Sequence, residues 1–306
     1  MDRRSWTLLL ILGAIWGASY LLIKIGIRDM SPWMVAWARI ALAAMILVPL
    51  ALRAGALRAA RGPGLAWLSL LGAIQVAGPF VLIAAAEDEI SSGLAGILVA
   101  SAPLFTALLA IRLDQEERSE GLRLVGILLG LGGVAVLLGV DIGDSFNQLL
   151  GALAVLLAGL GYAVGGFMVK RRLAHVPPIG VAAWVMITST VLLLPVAVLI
   201  APSSIPGLGP TGAVAALGVV GTGIAFAIFY DLMSTVGPAR TFIVTYLAPG
   251  FAVLYGALLL DERVTAATIA GLVLILAGSW LGGGGRLMRL RRSRSARGEA
   301  ELAAKS

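Results

Sequence analysis

The sequence lacks cysteine and nearly lacks histidine, and these absences exclude several kinds of chemistry. It has no Cys and one His among 306 residues. Disulfides, thiolate metal sites and cysteine nucleophiles are therefore excluded. His175 stands alone beside Arg171 and Arg172, which excludes a zinc site built from two or three imidazoles. No Walker loop is present, so the chain carries no ATPase of its own. We expect no cofactor and no metal.

Charged residues are also scarce. They make up 13% of the chain, whereas 59% is hydrophobic; a soluble domain has about 25% charged residues and about 45–50% apolar ones. Residues 145–169 and 173–230 contain no Asp, Glu, Lys or Arg at all. This composition excludes a water-soluble fold and is typical of an all-α integral membrane protein.

Ten apolar segments have about the length, roughly 20 residues, that crosses about 30 Å of hydrocarbon. They are residues 6–27, 32–52, 65–86, 91–111, 122–140, 149–169, 179–201, 212–230, 238–260 and 264–281. The links between them are short and polar, as in Glu87-Asp88-Glu89, and leave no room for a separate soluble domain. The sequence therefore predicts one membrane domain with ten transmembrane helices.

The positive charges predict the orientation of these helices. With the N-terminus inside, most Lys and Arg residues fall on the cytoplasmic side, and the run Glu87-Asp88-Glu89 falls outside. We expect both termini in the cytoplasm of a multi-pass inner-membrane protein. Residues 286–306 predict a disordered basic tail that contacts anionic lipid. The net charge of +7 lies largely in this tail, so nucleic acid is not an expected partner.

The two halves of the chain repeat one another. At an offset of 146 residues, three prolines of the first half coincide with prolines of the second, namely Pro32 with Pro178, Pro49 with Pro195 and Pro103 with Pro249. Each copy contains five predicted spans, an odd number, so the copies enter the membrane in opposite directions. We expect two inverted five-helix repeats, residues 1–146 and 147–285, around a central cavity, as in many secondary transporters.

Several short motifs resemble a known family. They are the Trp-Gly-x-x-Tyr motif of residues 16–20, Lys24, Pro32, Arg39, and the Ala-Pro pairs at 102–103 and 248–249, each with an acidic residue thirteen positions after the proline. Together with the Gly-rich closing helices, they resemble the EamA-type drug/metabolite transporter superfamily. The resemblance covers residues 6–281 and implies a ten-helix basket that moves small metabolites, often amino acids, usually outward across the bacterial inner membrane.

Candidate substrate-binding residues are polar or aromatic side chains within the spans. Arg39 lies several residues inside the second span, where an exposed charge is costly, so we expect it to face the interior with a partner or an anionic substrate group. Aromatic rings and hydrogen-bonding side chains in the repeat-related helices complete the set, although each could instead serve packing. These further candidates are Trp16, Tyr20, Gln75, Tyr162, Thr222, Tyr230 and Tyr246.

Four charged residues near the ends of the spans suggest gates. Lys24 and Glu262 fall near the outer surface, and their repeat equivalents Lys170 and Glu116 fall near the inner surface. We expect Lys24 with Glu262 to close the outer side and Lys170 with Glu116 to close the inner side, in alternation. The alternative is that all four are solvated charges at the surface.

The sequence thus favours a secondary transporter, with a small-molecule substrate and membrane lipid as partners. A structural membrane subunit, a channel or an intramembrane enzyme are the alternatives, although no catalytic set occurs at usable spacing. Because no carboxylate lies near the centre of a span, we expect facilitated diffusion or exchange rather than proton coupling. Asp231 is the nearest candidate, and Arg240 is its expected partner.

Overall fold

A computed structural model describes residues 1–59, 64–113, 121–140, 145–174 and 176–282. These residues form helices and connecting turns, with no strand among them. The helices that matter here are α1 (Arg3–Gly26), α2 (Pro32–Arg53), α3 (Leu65–Glu89), α4 (Ser92–Val99 with Ala102–Leu113), α5 (Leu122–Val140), α6 (Phe146–Arg172), α7 (Pro178–Leu199), α8 (Leu208–Thr235), α9 (Val244–Leu259) and α10 (Ala266–Gly282). Two four-residue helices, Ala56–Ala59 and Pro238–Thr241, precede α3 and α9.

Each predicted span coincides with one of these helices, but not all of them are long. Helices α1 to α8 are long and apolar enough to cross a membrane, whereas α9 and α10 have 16 and 17 residues. At about 1.5 Å per residue they extend about 24–26 Å, less than the roughly 30 Å of hydrocarbon. The described residues thus contain eight helices of spanning length and two shorter apolar ones, all at the positions of the predicted spans. The arrangement as ten membrane-crossing helices stays a prediction.

Local sequence signals explain where several helices begin. The side-chain oxygens of Asp2, Ser31, Ser91 and Ser145 accept hydrogen bonds from backbone N–H groups in the first turns of α1, α2, α4 and α6. Such caps satisfy donors that the helix itself leaves unpaired. In α2 the cap is followed by Pro32 in the first turn, where the missing N–H is tolerated.

The helices pack in pairs that recur between the two halves. Helix α2 packs on α7 and α5 packs on α10; α3 packs on α6 as α8 packs on α1, and α4 packs on α6 as α9 packs on α1. Many Leu and Val side chains on the outside of the helix bundle are exposed, as Leu128, Leu199 and Leu258 illustrate. An outward apolar surface of this kind suits a lipid environment.

Glycines allow close approach at the main helix contacts. A Cβ atom at Gly17 would collide with the α9 backbone, at 2.8 Å from the carbonyl oxygen of Ala248, and one at Gly126 would collide with the carbonyl oxygen of Gly278. A Cβ at Gly161 would meet the carbonyl oxygen of Ile74 at 2.6 Å. At these positions the glycines serve close packing between helices, as small residues commonly do in membrane proteins.

Two helices contain a wider turn at matching places. Residues Ala73–Ala77 of α3 and Val219–Ile224 of α8 form π-helical turns. Their first residues are 146 positions apart, the offset of the sequence repeat. Single π-turns often occur at functional sites because they shift side chains and free a carbonyl group. One of the predicted site residues, Thr222, lies in the second of these turns.

Candidate functional site

A buried arginine lies where α2, α3 and α8 meet. The Arg39 side chain is 8% exposed, and its Nε donates a hydrogen bond of 2.7 Å to Oγ1 of Thr222. Its guanidinium carbon lies 3.8 Å from the ring centroid of Phe80, in cation–π geometry. Tyr20 and Tyr162 are close enough to interact electrostatically with the same guanidinium. The structure thus places four of the predicted site residues together.

The π-turn of α8 explains how Thr222 meets Arg39. The Thr222 hydroxyl donates to the carbonyl oxygen of Leu217, five residues earlier, at 2.9 Å. Its oxygen can therefore accept from Arg39 while its own proton is satisfied. Within the described residues, the terminal nitrogens of Arg39 have no hydrogen-bond partner. The two terminal nitrogens of a buried guanidinium thus remain available to a carboxylate.

Two further predicted residues belong to an aromatic cluster beside this site. Trp16 on α1 lies 6.1 Å from Phe226 and 5.4 Å from Phe229, measured between ring centroids. Tyr230 lies 6.0 Å from Phe226 and 5.6 Å from Phe229. Because Phe226 and Tyr230 also pack against the core that contains Phe80, the cluster adjoins the arginine.

Gln75 and Tyr246 have different surroundings. Gln75 lies in the π-turn of α3, where a Cβ atom at Gly165 of α6 would meet its side chain at 2.7 Å. Tyr246 is partly buried in the first turn of α9. Within the part of the chain that the structure describes, Tyr246 makes no ring contact with the aromatic cluster.

The two predicted outer-gate residues line a pocket of about 310 Å³, but they bind different groups. The Lys24 ammonium donates to the carbonyl oxygens of Glu87 and Ile90 at the end of α3. The Glu262 carboxylate accepts from the Ser92 N–H at 2.7 Å, the Ser92 hydroxyl at 3.1 Å and the Gly93 N–H at 3.0 Å. Lys24 and Glu262 are both described, and no ion pair within 4 Å joins them.

The predicted inner-gate residues are described only in part. Lys170 lies exposed in the last turn of α6, and Glu116 lies outside the described residues, as do His175 and the tail 286–306. On α8, Asp231 forms an ion pair of 3.0 Å with Arg4. The predicted partner was Arg240, and this prediction is wrong, because the partner is Arg4 at the start of α1.

The sequence predicts that Glu87 lies in a short polar link between two spans, and this prediction is wrong. The structure extends α3 to Glu89 and buries the Glu87 side chain completely. Phe80, Ile83, Ala84 and Glu87 follow the i, i+3, i+4, i+7 spacing of one helix face, and all four are buried. That spacing could have revealed the buried carboxylate. Because Glu87 lies at the end of α3 and not near the centre of a span, the expectation of transport without proton coupling stays a prediction.

Comparison with known proteins identifies the family. The model of the EamA-like transporter family matches the chain twice, at residues 4–139 and 149–282. The chain belongs to the EamA-like transporter family. The two matches together cover most of the sequence, and the protein is a multi-pass membrane protein.

Relatives of this EamA-like chain are named as transporters and efflux pumps. A "Probable amino-acid metabolite efflux pump" of Escherichia coli strain K12 is 27% identical, over 92% of this chain and 95% of that protein. The "Uncharacterized inner membrane transporter YedA" of the same strain is 30% identical, over 79% of this chain and 78% of that protein. A solved crystal structure, 23% identical, has a TM-score of 0.62 and covers 92% of this chain and 98% of its own, which shows a shared fold.

Proposed function

We propose that this chain is a secondary transporter that exports a small metabolite, such as an amino acid, across the bacterial inner membrane by alternating access. Relatives in Escherichia coli and Salmonella typhimurium that carry the name of probable amino-acid metabolite efflux pumps each match 92% of the chain. Because these matches span nearly the whole of both proteins, they support an efflux activity for this chain as well. At identities of 27% and 26%, the substrate has to be found by experiment.

The proposed architecture is two inverted five-helix repeats, residues 1–146 and 147–285, followed by the tail 286–306. Separate family matches in the two halves, the recurrent helix pairs and the two π-turns support it. In this arrangement α9 crosses together with the short helix Pro238–Thr241 that precedes it. Both termini then lie in the cytoplasm.

Arg39 provides the main support for an amino-acid-like substrate. Its guanidinium is contributed by the first half of the chain and held by Thr222 of the second half. A site between two halves that rock against each other is open to each side in turn. A carboxylate that binds both free terminal nitrogens would form the bidentate pair that arginine favours.

The remaining candidates have proposed roles around this carboxylate site. Tyr20 and Tyr162 line it, and the aromatic cluster of Trp16 and Tyr230 receives the apolar part of the substrate. Gln75 and Tyr246 contribute further polar contacts once the helices have moved. Four charged residues form the gates, with Lys24 and Glu262 at the outer side, and Lys170 and Glu116 at the inner side.

A growth screen followed by a reconstituted assay tests the function. A deletion strain and an overexpressing strain are compared in the presence of amino acids and toxic analogues. Overexpression should raise tolerance to the substrates and deletion should lower it. In proteoliposomes, unlabelled substrate on the inside should then accelerate uptake of the labelled compound. A channel or a structural subunit would give no such counterflow.

A further inference from the structure

The Glu87 carboxyl group is buried without a partner at the outer end of α3. Its side chain is 0% exposed, and neither carboxyl oxygen has a hydrogen-bond partner among the described residues. The two following acids, Asp88 and Glu89, are exposed. Burial is therefore specific to one of three adjacent carboxylates. The repeat equivalent of Glu87 is Met233, so the second half does not need an acid at this position.

Charged groups surround Glu87 from several elements. Lys24 on α1, Arg39 on α2 and Glu262 after α9 interact with it electrostatically, as does Asp88 on its own helix. On α1 the phenol of Tyr20 is a further neighbour, and Arg28 lines the same pocket. Residues 92–99 of α4 contain no ionisable side chain, and on α6 the phenol of Tyr162 packs near the same part of α3. Cations and anions thus face Glu87 in nearly equal number.

The geometry decides which form of the carboxyl fits this environment. An ionised carboxylate removed from water needs donors aimed at its oxygens, and its burial without them costs much more than burial of the neutral acid. The nearest ammonium, on Lys24, is directed at the backbone oxygens of Glu87 and Ile90. The conformation seen here therefore suits the protonated acid.

We propose that Glu87 is a proton-binding site that couples the opening of the outer pocket to the binding and release of one proton. In the closed pocket, Glu87 is a neutral carboxylic acid and Lys24 binds the end of α3. When the pocket opens, water enters, the carboxylic acid O–H bond breaks and the proton passes to that water. Lys24 then leaves the two carbonyl oxygens and pairs with the new carboxylate. Closure takes one proton back from water and reverses the sequence.

The pocket supplies the space that this exchange needs. Its volume of about 310 Å³ is lined by both partners, Lys24 and Glu87, together with Ile27 on the adjoining turn. A water molecule needs about 30 Å³ and two to four polar contacts, so the pocket has room for several. They reach the carboxyl oxygens, which are buried in the closed form, only when the pocket opens.

Infrared spectroscopy of the purified protein in nanodiscs tests whether Glu87 holds the proton. The unmodified protein should show the carbonyl band of a buried carboxylic acid at neutral pH, and the band should disappear as the pH rises. Glu87→Gln should remove the band, whereas the matched variant Glu89→Gln, at an exposed acid two residues away, should retain it. Lys24→Gln removes the cation that favours ionisation, so the band should then persist to higher pH.

Cysteine labelling tests the coupling in the same nanodiscs, where both faces are accessible. The Cys-free chain permits a single reporter, Ile27→Cys, with Ser204→Cys in an exposed loop as the reference for intrinsic thiol reactivity. The ratio of labelling rates should rise severalfold with pH as Glu87 ionises. In the Glu87→Gln background the ratio should remain low throughout, and in Glu89→Gln it should rise as in the parent.

Two results would overturn the proposal. One is the absence of a buried carboxylic acid band in the folded, unmodified protein at any pH. The other is an unchanged pH dependence of Ile27→Cys labelling when Glu87→Gln is present. Neither measurement uses a transported substrate, so failure of the proton site is distinguishable from failure of the transporter assignment.

Discussion

Arg39 joins sequence, geometry and proposed substrate at the scale of one residue. Its Nε is fixed by Thr222 and its guanidinium carbon lies over the ring of Phe80, which leaves the two terminal nitrogens for a ligand. Arg39→Lys preserves the positive charge but removes the planar fork. We expect it to weaken binding of an amino-acid substrate by about 1.5–3 kcal/mol, roughly tenfold to a hundredfold. Competition in the counterflow assay measures this loss.

Matched ligands and variants separate this effect from general damage. The amine that lacks the carboxylate of the same substrate should compete only weakly for the unmodified protein. It should compete equally weakly for Arg39→Lys. Thr222→Val should lower affinity for the carboxylate, because Nε loses its acceptor, and Thr222→Ser should restore it. An equal loss for the amine and the amino acid would show that Arg39 does not bind the carboxylate.

The sequence revealed Arg39 and missed Glu87 for one physical reason. A charge in the middle of an apolar segment stands out, whereas Glu87 is adjacent to two solvated acids just beyond the last apolar residue. Its burial depends on packing against other helices, and Glu262, one of the charges that interact with it, is more than a hundred positions away in the sequence. Only the helical spacing from Phe80 carried local information about it. Thr222 was selected from its place in the repeat, but its acceptor role depends on the π-turn.

At the scale of helices, small residues decide how closely neighbours approach. A Cβ atom at Gly278 of α10 would collide with the backbone of Gly130 on α5 and with the carbonyl oxygen of Gly126. Gly278→Ala should therefore force the two helices apart and lower stability by about 1–3 kcal/mol. Thermal unfolding of the detergent-solubilised protein, followed by Trp fluorescence, measures the change.

Gly132 is the matched control on α5. A Cβ atom there would have nothing within 4 Å, so Gly132→Ala should leave the unfolding temperature unchanged or raise it slightly. Equal destabilisation by both substitutions would mean that loss of glycine flexibility, and not the contact between α5 and α10, determines the result.

Hydropathy predicted the position of every main helix but not the length of α9. The chain turns at residues 242–243, after the short helix Pro238–Thr241, and α9 ends before Asp261, whose φ of 54° is left-handed. Backbone breaks of this kind depend on the tertiary contacts of Glu262 and the packing of Phe242 on Phe229. An apolar segment such as 238–260 contains no signal for them.

At the scale of the whole molecule, contacts between distant segments divide the helix ends and loops into two groups, one at each end of the helix bundle. Arg4 pairs with Asp231, and Trp184 donates to the carbonyl oxygen of Leu57. At the other end, Asp29 accepts from the N–H of Gly207 at 2.8 Å. Each contact joins segments that the charge distribution assigns to the same side of the membrane.

The proposed topology adds an orientation to this sorting, and fusion proteins test it. A phosphatase that is active only in the periplasm should be active when fused after Asp144 and inactive when fused after Arg172 or at the C-terminus. The reason is that positively charged flanks remain in the cytoplasm, and Lys170, Arg171 and Arg172 are clustered at the end of α6. Labelling of Ser204→Cys in intact cells provides an independent measurement. The proposed topology places this residue outside, so a thiol reagent that does not cross the membrane should label it. An active C-terminal fusion would require an odd number of crossings, and the inverted arrangement of two five-helix repeats would then be untenable.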